Sequence, residues 1–363
     1  MQTVLKKKSL GILMHPSSIP GGKVCGTFGR GAKEWIKKLS KHGIEYWQFL
    51  PLTPTDSTGS PYSSPSSFAL NPWFLDMDDL IEKGFIFISK KEELELKNQN
   101  KNHFDFHVAD DLSKKLGSLL LKCWDPQPEE KKIDFCKWLN KNSWVDDYAT
   151  FIVIREEFNM LPWWQWPKEF KIKNNKFLKS WIKERSEKIL IKKLIQWHLD
   201  RQWKSVKDFA KSYNVKLIGD LPFYVSRDSA DVWSNKSLFS IFKNGALIFQ
   251  SGVPPDYFSS TGQLWGTPTY FWSKHNGDDI LFGGSGNDEI TGGSGNDTYQ
   301  LTTGTGRDLI TDYTQGEDSI ELLNGITTND LTFSSTNGNL QLHYNSDLLA
   351  TIENTIQSDL NFI

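Results

Sequence analysis

Aspartates recur at a nine-residue interval late in the chain, each in the same glycine-rich setting. Residues 283–291 and 292–300 both begin Gly-Gly-Ser-Gly-Asn-Asp, and the segment before them keeps Gly277, Asp279 and Leu281 at the equivalent positions. Glycines permit tight turns whose backbone carbonyls can face an ion, and the sixth-position aspartate adds a carboxylate. Oxygen-only donors suit a hard cation such as calcium.

This pattern resembles the calcium-binding nonapeptide repeat of the RTX class. The resemblance implies a parallel β-roll in which stacked turns share each Ca²⁺ and the eighth residue of each repeat points into the roll. The alternative is a flexible Gly/Ser/Asn/Asp linker, against which three repeats in register argue. Residues 304–312 resemble a degenerate closing turn, so a ligand role stays open for its two aspartates. The expected metal ligands are Asp279, Asp288, Asp297, Asp308 and Asp312.

Charge and tryptophan content divide the chain near residue 275. Residues 276–363 contain 14 Asp and Glu but a single basic residue, Arg307, for a net charge of −13. Residues 1–275 hold 41 Lys and Arg against 30 Asp and Glu, a net of +11, and all 15 tryptophans. The lysines of this first part are spread over helix-like surface without a base-reading motif, so we expect no nucleic-acid partner.

The cysteines and the apolar runs exclude several classes of protein. Three irregularly spaced cysteines argue against a disulfide framework and a structural zinc site. No apolar run approaches the roughly 18 residues of a membrane span. The stretch Leu10–Met14 is too short for a signal-peptide core. Localisation stays open: cytoplasmic if the first part dictates it, or secreted through a C-terminal signal if the calcium tail functions.

Local patterns in the first part predict helices that lead into short strands. An amphipathic helix ends near Gly43, and a buried strand follows within Ile44–Leu52. Residues 182–211 carry apolar side chains at helical spacing and lead to a short buried strand at Val215–Ile218. Asp220 comes directly after that strand, where barrel active sites lie, although an aspartate there could instead cap the next helix.

A later loop, residues 252–268, combines proline and glycine hinges with aromatic side chains. Flat rings stack on sugar faces, while Asp, Gln and indole N–H groups bond sugar hydroxyls. The composition therefore allows a carbohydrate site, although taken alone it is more typical of a packed aromatic loop.

Six collinear motifs resemble the 4-α-glucanotransferase family (amylomaltase, or disproportionating enzyme), in family order from about residue 9 to 273. They are 11–21 (GILMHPSSIPG), 46–52 (YWQFLPL), 59–63 (GSPYS), 161–167 (LPWWQWP), 219–233 (GDLPFYVSRDSADVW) and 252–268. One departure is Thr267, where the family usually has Asn, which puts one hydrogen bond in doubt.

The resemblance implies an α/β fold, a distorted (β/α)8 barrel that moves α-1,4-glucan segments from donor to acceptor without a cofactor. It implies α-1,4-glucan or maltooligosaccharide as the partner. The substrate-binding residues that it implies are Tyr62, Asp220, Asp256, Tyr257, Phe258, Gln263 and Trp265.

The catalytic carboxylates of such an enzyme are missing from the sequence. Retaining glycosyl transfer needs two carboxylates about 5–5.5 Å apart, a nucleophile and a general acid/base. In the family both follow the loop 252–268, the nucleophile within an Arg-x-Asp-His-Phe-Arg-type strand motif, and no such motif occurs in residues 276–363. We therefore assign no catalytic residue, and Asp220 and Asp256 match supporting positions.

The expected organisation is an incomplete (β/α)8-barrel front at 1–273, a calcium-binding β-roll at 274–317 and a small β cap at 318–363. The front would hold about the first three barrel strands and a helical insertion near 80–145. Because an unclosed parallel sheet leaves an open edge, we expect it to be partly molten or to self-associate.

Four interpretations follow from this organisation. We favour a truncated family member with a calcium tail, inactive because its nucleophile and acid/base are missing. The others are a calcium-dependent secreted or surface glucan-binding protein, a transferase completed by another chain, and an error of gene assembly.

Overall fold

The computed structural model describes residues 8–56, 58–89, 92, 105–255, 257, 259–271, 277–284, 286–304 and 306–363. By internal packing the chain forms two compact units. The first extends to Lys236 and resumes over Ile241–Pro268, and the second comprises Ser237–Ser240 and Thr269–Ile363. The chain is mixed α/β, and the described strands form no closed barrel. Within the same residues, no helix is long and apolar enough to cross a bilayer.

Helices dominate the first unit. Those described are α1 (Arg30–Lys41), α2 (Met77–Glu82), α3 (Phe106–Lys122), α4 (Glu129–Lys141), α5 (Trp144–Glu157), α6 (Lys168–Lys171), α7 (Asn175–Glu184), α8 (Ser186–Ser212) and α9 (Ala230–Ser234). The strands are β1 (Gly11–Leu13), β2 (Tyr46–Gln48), β3 (Lys216–Ile218), β4 (Gln250–Val253) and β5 (Gln263–Pro268). The first three form a parallel sheet in the order β1-β2-β3, and β4 pairs antiparallel with β5.

The core of the first unit lies between one face of the β1-β2-β3 sheet and a layer of helices that includes α1, α3, α4 and α8. Trp47 at its centre is fully buried, and its indole N–H donates a 2.7 Å hydrogen bond to the carbonyl of Met14. Trp203 of α8 packs edge-on against both Trp47 and Phe49. The predicted helical segment 182–211 is confirmed. It comprises the end of α7 and nearly all of α8, and residue 185 separates the two helices.

Of two sequence predictions about helix and strand positions, one is confirmed and one is wrong in part. The helix end near Gly43 is confirmed: α1 stops at Lys41, and Gly43 takes the left-handed φ of +69° that glycine tolerates. The prediction of a buried strand at Val215–Ile218 is wrong for two residues. Val215 is buried, but Lys216 and Ile218 are exposed because no described helix or sheet packs over that face of β3.

Two glutamines of α8 hold the segment that connects β2 to α2. The Gln196 side-chain amide accepts from the N–H of Leu70 and donates to its carbonyl, at 2.9 and 2.8 Å. Gln202 does the same with Asp76, at 2.9 and 3.0 Å. Both glutamines are buried, so these bonds satisfy the backbone of a segment without a ladder partner.

A buried histidine makes the first unit sensitive to acid. His198 on α8 is 1% exposed and packs against the ring of Phe85 at 4.4 Å. Burial, reinforced by the nearby Arg201 guanidinium, holds the pKa of His198 well below its usual value. The unfolded chain therefore binds a proton that the folded chain does not, so stability falls as the pH drops below about 6.5.

We expect His198→Phe to flatten this dependence. Each pH unit below about 6.5 can cost the folded protein up to about 1.4 kcal/mol through this group, and the apolar ring removes that loss. The measurement is urea unfolding followed by tryptophan fluorescence between pH 7 and 5, which reports mainly the first unit because 14 of the 15 tryptophans belong to it. The exposed His107 provides the control, and a His107→Phe variant that flattened the curve equally would contradict the assignment.

The second unit consists of short strands. They are β6 (Ile280–Leu281), β7 (Glu289–Ile290), β8 (Thr298–Leu301), β9 (Asp308–Ile310), β10 (Ser319–Leu322), β11 (Leu331–Thr336), β12 (Asn339–Tyr344) and β13 (Asp347–Ile352). Successive strands alternate between two sheets: β6, β8 and β10 are parallel neighbours in one, and β7, β9 and β13 in the other. The second sheet continues through antiparallel β12 and β11, and His343 lies in β12 as predicted.

The core of the second unit confirms the inward direction of the eighth repeat residue. Ile290 and Tyr299 are buried, at 7% and 0% exposure, and Leu281 packs against them in part. Leu342 and Ile352 come from the antiparallel part and are fully buried in the same cluster. Turn repeats and antiparallel strands therefore share one hydrophobic core.

Candidate functional sites

A tyrosine and an aspartate that the sequence predicts as glucan contacts meet in the first unit. The Tyr62 hydroxyl donates a 2.6 Å hydrogen bond to Oδ2 of Asp220, across 158 residues of sequence. That bond raises the pKa of Tyr62, so the phenol stays protonated. Asp220 does not cap the following helix, since the side chain of Ser229 caps α9. Both residues are exposed, and together they offer a hydroxyl and a carboxylate to solvent.

Backbone contacts hold the loops that carry this pair. The N–H of Ser67 donates to Oδ2 of Asp231 at 2.9 Å, and the N–H of Ala230 donates to the carbonyl of Pro65 at 2.9 Å. Burial raises the pKa of Asp231. The loop after Tyr62 is thus joined to the first turn of α9.

A second carboxylate joins another pair of distant segments. Asp228 forms a 2.9 Å ion pair with Arg155 of α5 and accepts from the backbone N–H of Trp163 at 3.1 Å. The indole N–H of Trp163 donates in turn to the carbonyl of Arg227 at 2.7 Å. The tryptophan-rich motif at 161–167 therefore supports the loop that contains Asp220.

Aromatic side chains border the same loop. The ring of Trp265 lies 5.9 Å from that of Tyr224, and its indole N–H donates to Oε1 of Gln263 at 3.2 Å. Trp265 is 42% exposed and Tyr257 is 96% exposed. Two other predicted contacts, Asp256 and Phe258, lie outside the described residues. An exposed ring beside an amide suits stacking on a sugar together with hydroxyl bonding.

The one departure from the family pattern has a partner within the hairpin. The Thr267 hydroxyl on β5 forms a hydrogen bond with the hydroxyl of Ser251 on β4. The hydroxyl is thereby used to join the two strands.

In the second unit, aspartates form ladders along the stacked turns. Oδ1 of Asp297 accepts from the N–H of Asp279 at 2.8 Å, and Oδ1 of Asp318 accepts from the N–H of Asp297 at 2.9 Å. On the opposite sheet, Oδ1 of Asp308 accepts from the N–H of Asp288 at 3.2 Å. One carboxylate oxygen of Asp297, Asp308 and Asp318 thus orients the preceding turn in its ladder.

In each of two aspartates, one carboxylate oxygen has no hydrogen-bond donor. Oδ2 of Asp288 and Oδ2 of Asp297 are buried without a partner. They lie against the first glycine of their own repeats: a Cβ on Gly283 would be 3.0 Å from Asp288 Oδ2, and one on Gly292 would be 2.3 Å from Asp297 Oδ2. The glycine therefore makes room for the carboxylate. An orphaned buried carboxylate oxygen is costly unless a cation neutralises it.

Burial raises pKa values along the ladders, and the crowding of carboxylates adds to the effect. Burial, with the charges of neighbouring carboxylates, raises the pKa of Asp297 and of Asp308. Among the described residues, no three His, Cys, Asp or Glu side chains gather as a metal-binding group. A cation there would need backbone carbonyls beside the aspartates, as the glycine-rich turns permit.

The carboxylates of Asp312 and Asp318 form contacts that the nine-residue repeat does not predict. The Asp312 carboxylate accepts from the N–H groups of Gly292 and Gly293 and from the Tyr299 hydroxyl, at 2.8–3.0 Å. It therefore already has three donors. Asp318 is only 2% exposed, was not among the expected ligands, and continues the ladder of Asp279 and Asp297.

Comparison with known proteins gives the family of the first part. The 4-alpha-glucanotransferase family pattern matches residues 14–280, most of the chain. The chain belongs to the 4-alpha-glucanotransferase family. The relative from Clostridium butyricum is 39% identical over 71% of this chain and 53% of its own length, and that from Thermus thermophilus 34% over 73% and 52%. This 4-alpha-glucanotransferase family member thus spans about half the length of the curated relatives it matches.

Solved structures agree with the family assignment. Amylomaltase from Streptococcus agalactiae, solved in complex with acarbose, shares 32% identity with this family member at a TM-score of 0.68, over 73% of this chain and 54% of the other. Amylomaltase from Corynebacterium glutamicum, at 16% identity and a TM-score of 0.56, shares the fold over 72% and 36%. The RTX calcium-binding nonapeptide repeat, in four copies, matches residues 275–310.

Proposed function

We propose that this family member binds α-1,4-glucan through its first unit and does not by itself cleave it. The observation that carries the proposal is the contact of Tyr62 with Asp220, on the same unit as the exposed ring of Trp265 and the amide of Gln263. Two hydroxyl-bonding groups and a stacking ring on one unit match the chemistry of a glucan chain. The proposed contacts extend to Asp256, Tyr257 and Phe258 of the same loop.

The proposed inactivity rests on the missing carboxylate pair. The family expectation places the nucleophile and the acid/base on strands after the loop 252–268. Beyond β5 the next described strand is β6, which belongs to the second unit and carries the repeat. The carboxylate of Asp220 is hydrogen-bonded to a tyrosine, so it stands as a binding group in this proposal.

We propose further that residues 274–317 form a calcium-binding β-roll and 318–363 its cap. Asp288 and Asp297 would each hold an ion on its own side of the roll through its unpartnered oxygen, with Asp308 on the turn adjacent to Asp288 and Asp279 on the turn adjacent to Asp297. Bound calcium supplies the positive charge that these buried carboxylates lack. The three donors to Asp312 make it a support of the turn in this proposal.

The glucan proposal predicts selective losses of affinity. Trp265→Ala should weaken maltoheptaose binding about tenfold, because the stacking ring is worth about 1.4 kcal/mol. Tyr62→Phe should weaken it about fivefold through the lost hydroxyl. Isothermal titration measures both, and Tyr213→Phe, at the end of α8, is the matched control. Equal affinity of all four proteins would contradict the proposal.

Incubation with maltotriose separates binding from transfer. We expect no release of glucose by this chain, whereas a transferase would release it and form longer dextrins. Repeating the titration with and without calcium tests the second candidate, a calcium-dependent secreted or surface glucan-binding protein, because only that function requires the tail to change glucan affinity.

A further inference from the structure

One face of the β1-β2-β3 sheet carries the helical core, and among the described residues the other is covered only at Tyr46, which is 8% exposed with the Lys216 ammonium over its ring. Ile12, Trp47 and Leu217 are registered across the three strands and point into the helical core. The next register row, Leu13, Gln48 and Ile218, points to the opposite face.

Along this row the opposite face is exposed and is apolar at its two sides. Leu13 is 57% exposed and Ile218 is 42% exposed, with Gln48 between them. The chain after β3 adds Leu221 and Phe223, which are 78% and 67% exposed. Parallel sheets are normally buried on both faces, so a surface of this kind indicates a missing layer.

Both edges of the sheet are also open. Within the part of the chain that the structure describes, β1 and β3 each pair with β2 and with no strand on their outer sides. Outward N–H and C=O groups at such edges are ready to pair with further strands. A partner that fits must therefore supply strands for two edges and side chains for one face.

The family relationship identifies the segment that meets both requirements. A barrel closes only when a strand lies beside each edge, and its interior is filled by layers of side chains from all strands. The relatives extend over nearly twice the matched length, so almost half of each has no counterpart in the matched part of this chain. A second copy of this chain would bring the total to six such strands, fewer than the eight of this barrel type.

We propose that the exposed face and the two open edges of the β1-β2-β3 sheet form a docking surface for a polypeptide that carries the second half of a 4-alpha-glucanotransferase barrel. Leu13 and Ile218 become interior residues of the closed barrel, and β1 and β3 gain parallel neighbours. The proposal rests on the family assignment and the sheet, and it is independent of glucan or calcium binding by this chain alone.

Co-expression provides the test. The full chain is produced together with the segment of the Clostridium butyricum relative that follows its matched region, and the affinity-purified material is sized by light scattering. We expect a one-to-one complex. Recovery of the full chain alone, as a monomer, would overturn the proposal, and recovery as a homodimer would assign the surface to a second copy instead.

Matched variants locate the contact on the sheet. Leu13→Lys and Ile218→Lys should each reduce recovery of the complex at least tenfold, because each places a charge in the closed interior. Ile133→Lys, at a residue of α4 that is 46% exposed, should leave it unchanged. Tryptophan fluorescence of each variant alone verifies folding. A complex that survives both sheet substitutions in folded protein would contradict the inference.

Discussion

Millimolar calcium is expected to raise the melting temperature of the second unit by about 10–20 °C in the full chain. A ligand at about one hundred times its dissociation constant stabilises the folded state by about 2.7 kcal/mol, and a domain of this size gains about 4–8 °C for each kcal/mol. The gain arises because Asp288 and Asp297 bury oxygens that have no donor. Far-UV circular dichroism with calcium, and with a chelator, measures the shift.

An isosteric change separates the charge of these carboxylates from their shape. In the double variant Asp288→Asn/Asp297→Asn, the remaining oxygen of residue 297 can still accept the 2.8 Å bond from the N–H of Asp279. We expect the calcium response to disappear while stability with chelator is kept or increased, since the repulsion between carboxylates is relieved. Glu317→Gln, an exposed neutralisation, should retain the response. An undiminished response in the double variant would rule out these two ligands.

Substitution of one turn glycine is expected to cause the largest loss of stability in the second unit. Gly306 adopts a φ of +138°, and a Cβ there would lie 1.5 Å from the carbonyl oxygen of Gly286 in the turn stacked against it. Gly306→Ala must separate the two turns, at a cost of about 3 kcal/mol or more. Denaturant unfolding with calcium present measures the change.

A neighbouring glycine gives the control for this experiment. Gly304 has a φ of +73°, and a Cβ there would meet nothing within 4 Å. Gly304→Ala should therefore cost only the backbone preference, about 1–2 kcal/mol. Equal losses for the two variants would show that turn stacking contributes nothing at Gly306.

The sequence allowed the two parts and their families to be recognised, because both depend on ordered motifs rather than on local propensity. Tyr62 and Asp220 could be paired only through the family resemblance, since nothing within 158 residues of sequence indicates that they meet. The contacts of Asp228 with Arg155 and Trp163 were not predicted for the same reason. Such contacts depend on how loops pack, and local patterns do not contain that information.

Unequal turn lengths explain why the sequence did not predict Asp318 as a member of the carboxylate ladder in the second unit. The ladder bonds join residues 18, 20 and 21 positions apart, so the turns lengthen while the strands stay in register. A strict nine-residue count therefore stops short of Asp318. The exposure of Ile218 was missed for another reason: an apolar strand sequence shows a tendency to be covered, but the cover must come from elsewhere in the fold.

Alternation of the strands between two sheets restricts how the repeat tract can change in length. One nonapeptide carries the chain from one sheet to the other, as between β6 and β7, and β13 joins the sheet of β9. Inserting or deleting a single nonapeptide before β9 would move every later strand to the other sheet. Inserting or deleting two nonapeptides would leave every later strand on its original sheet. Adding nonapeptides in pairs therefore keeps every strand of the tract on its present sheet.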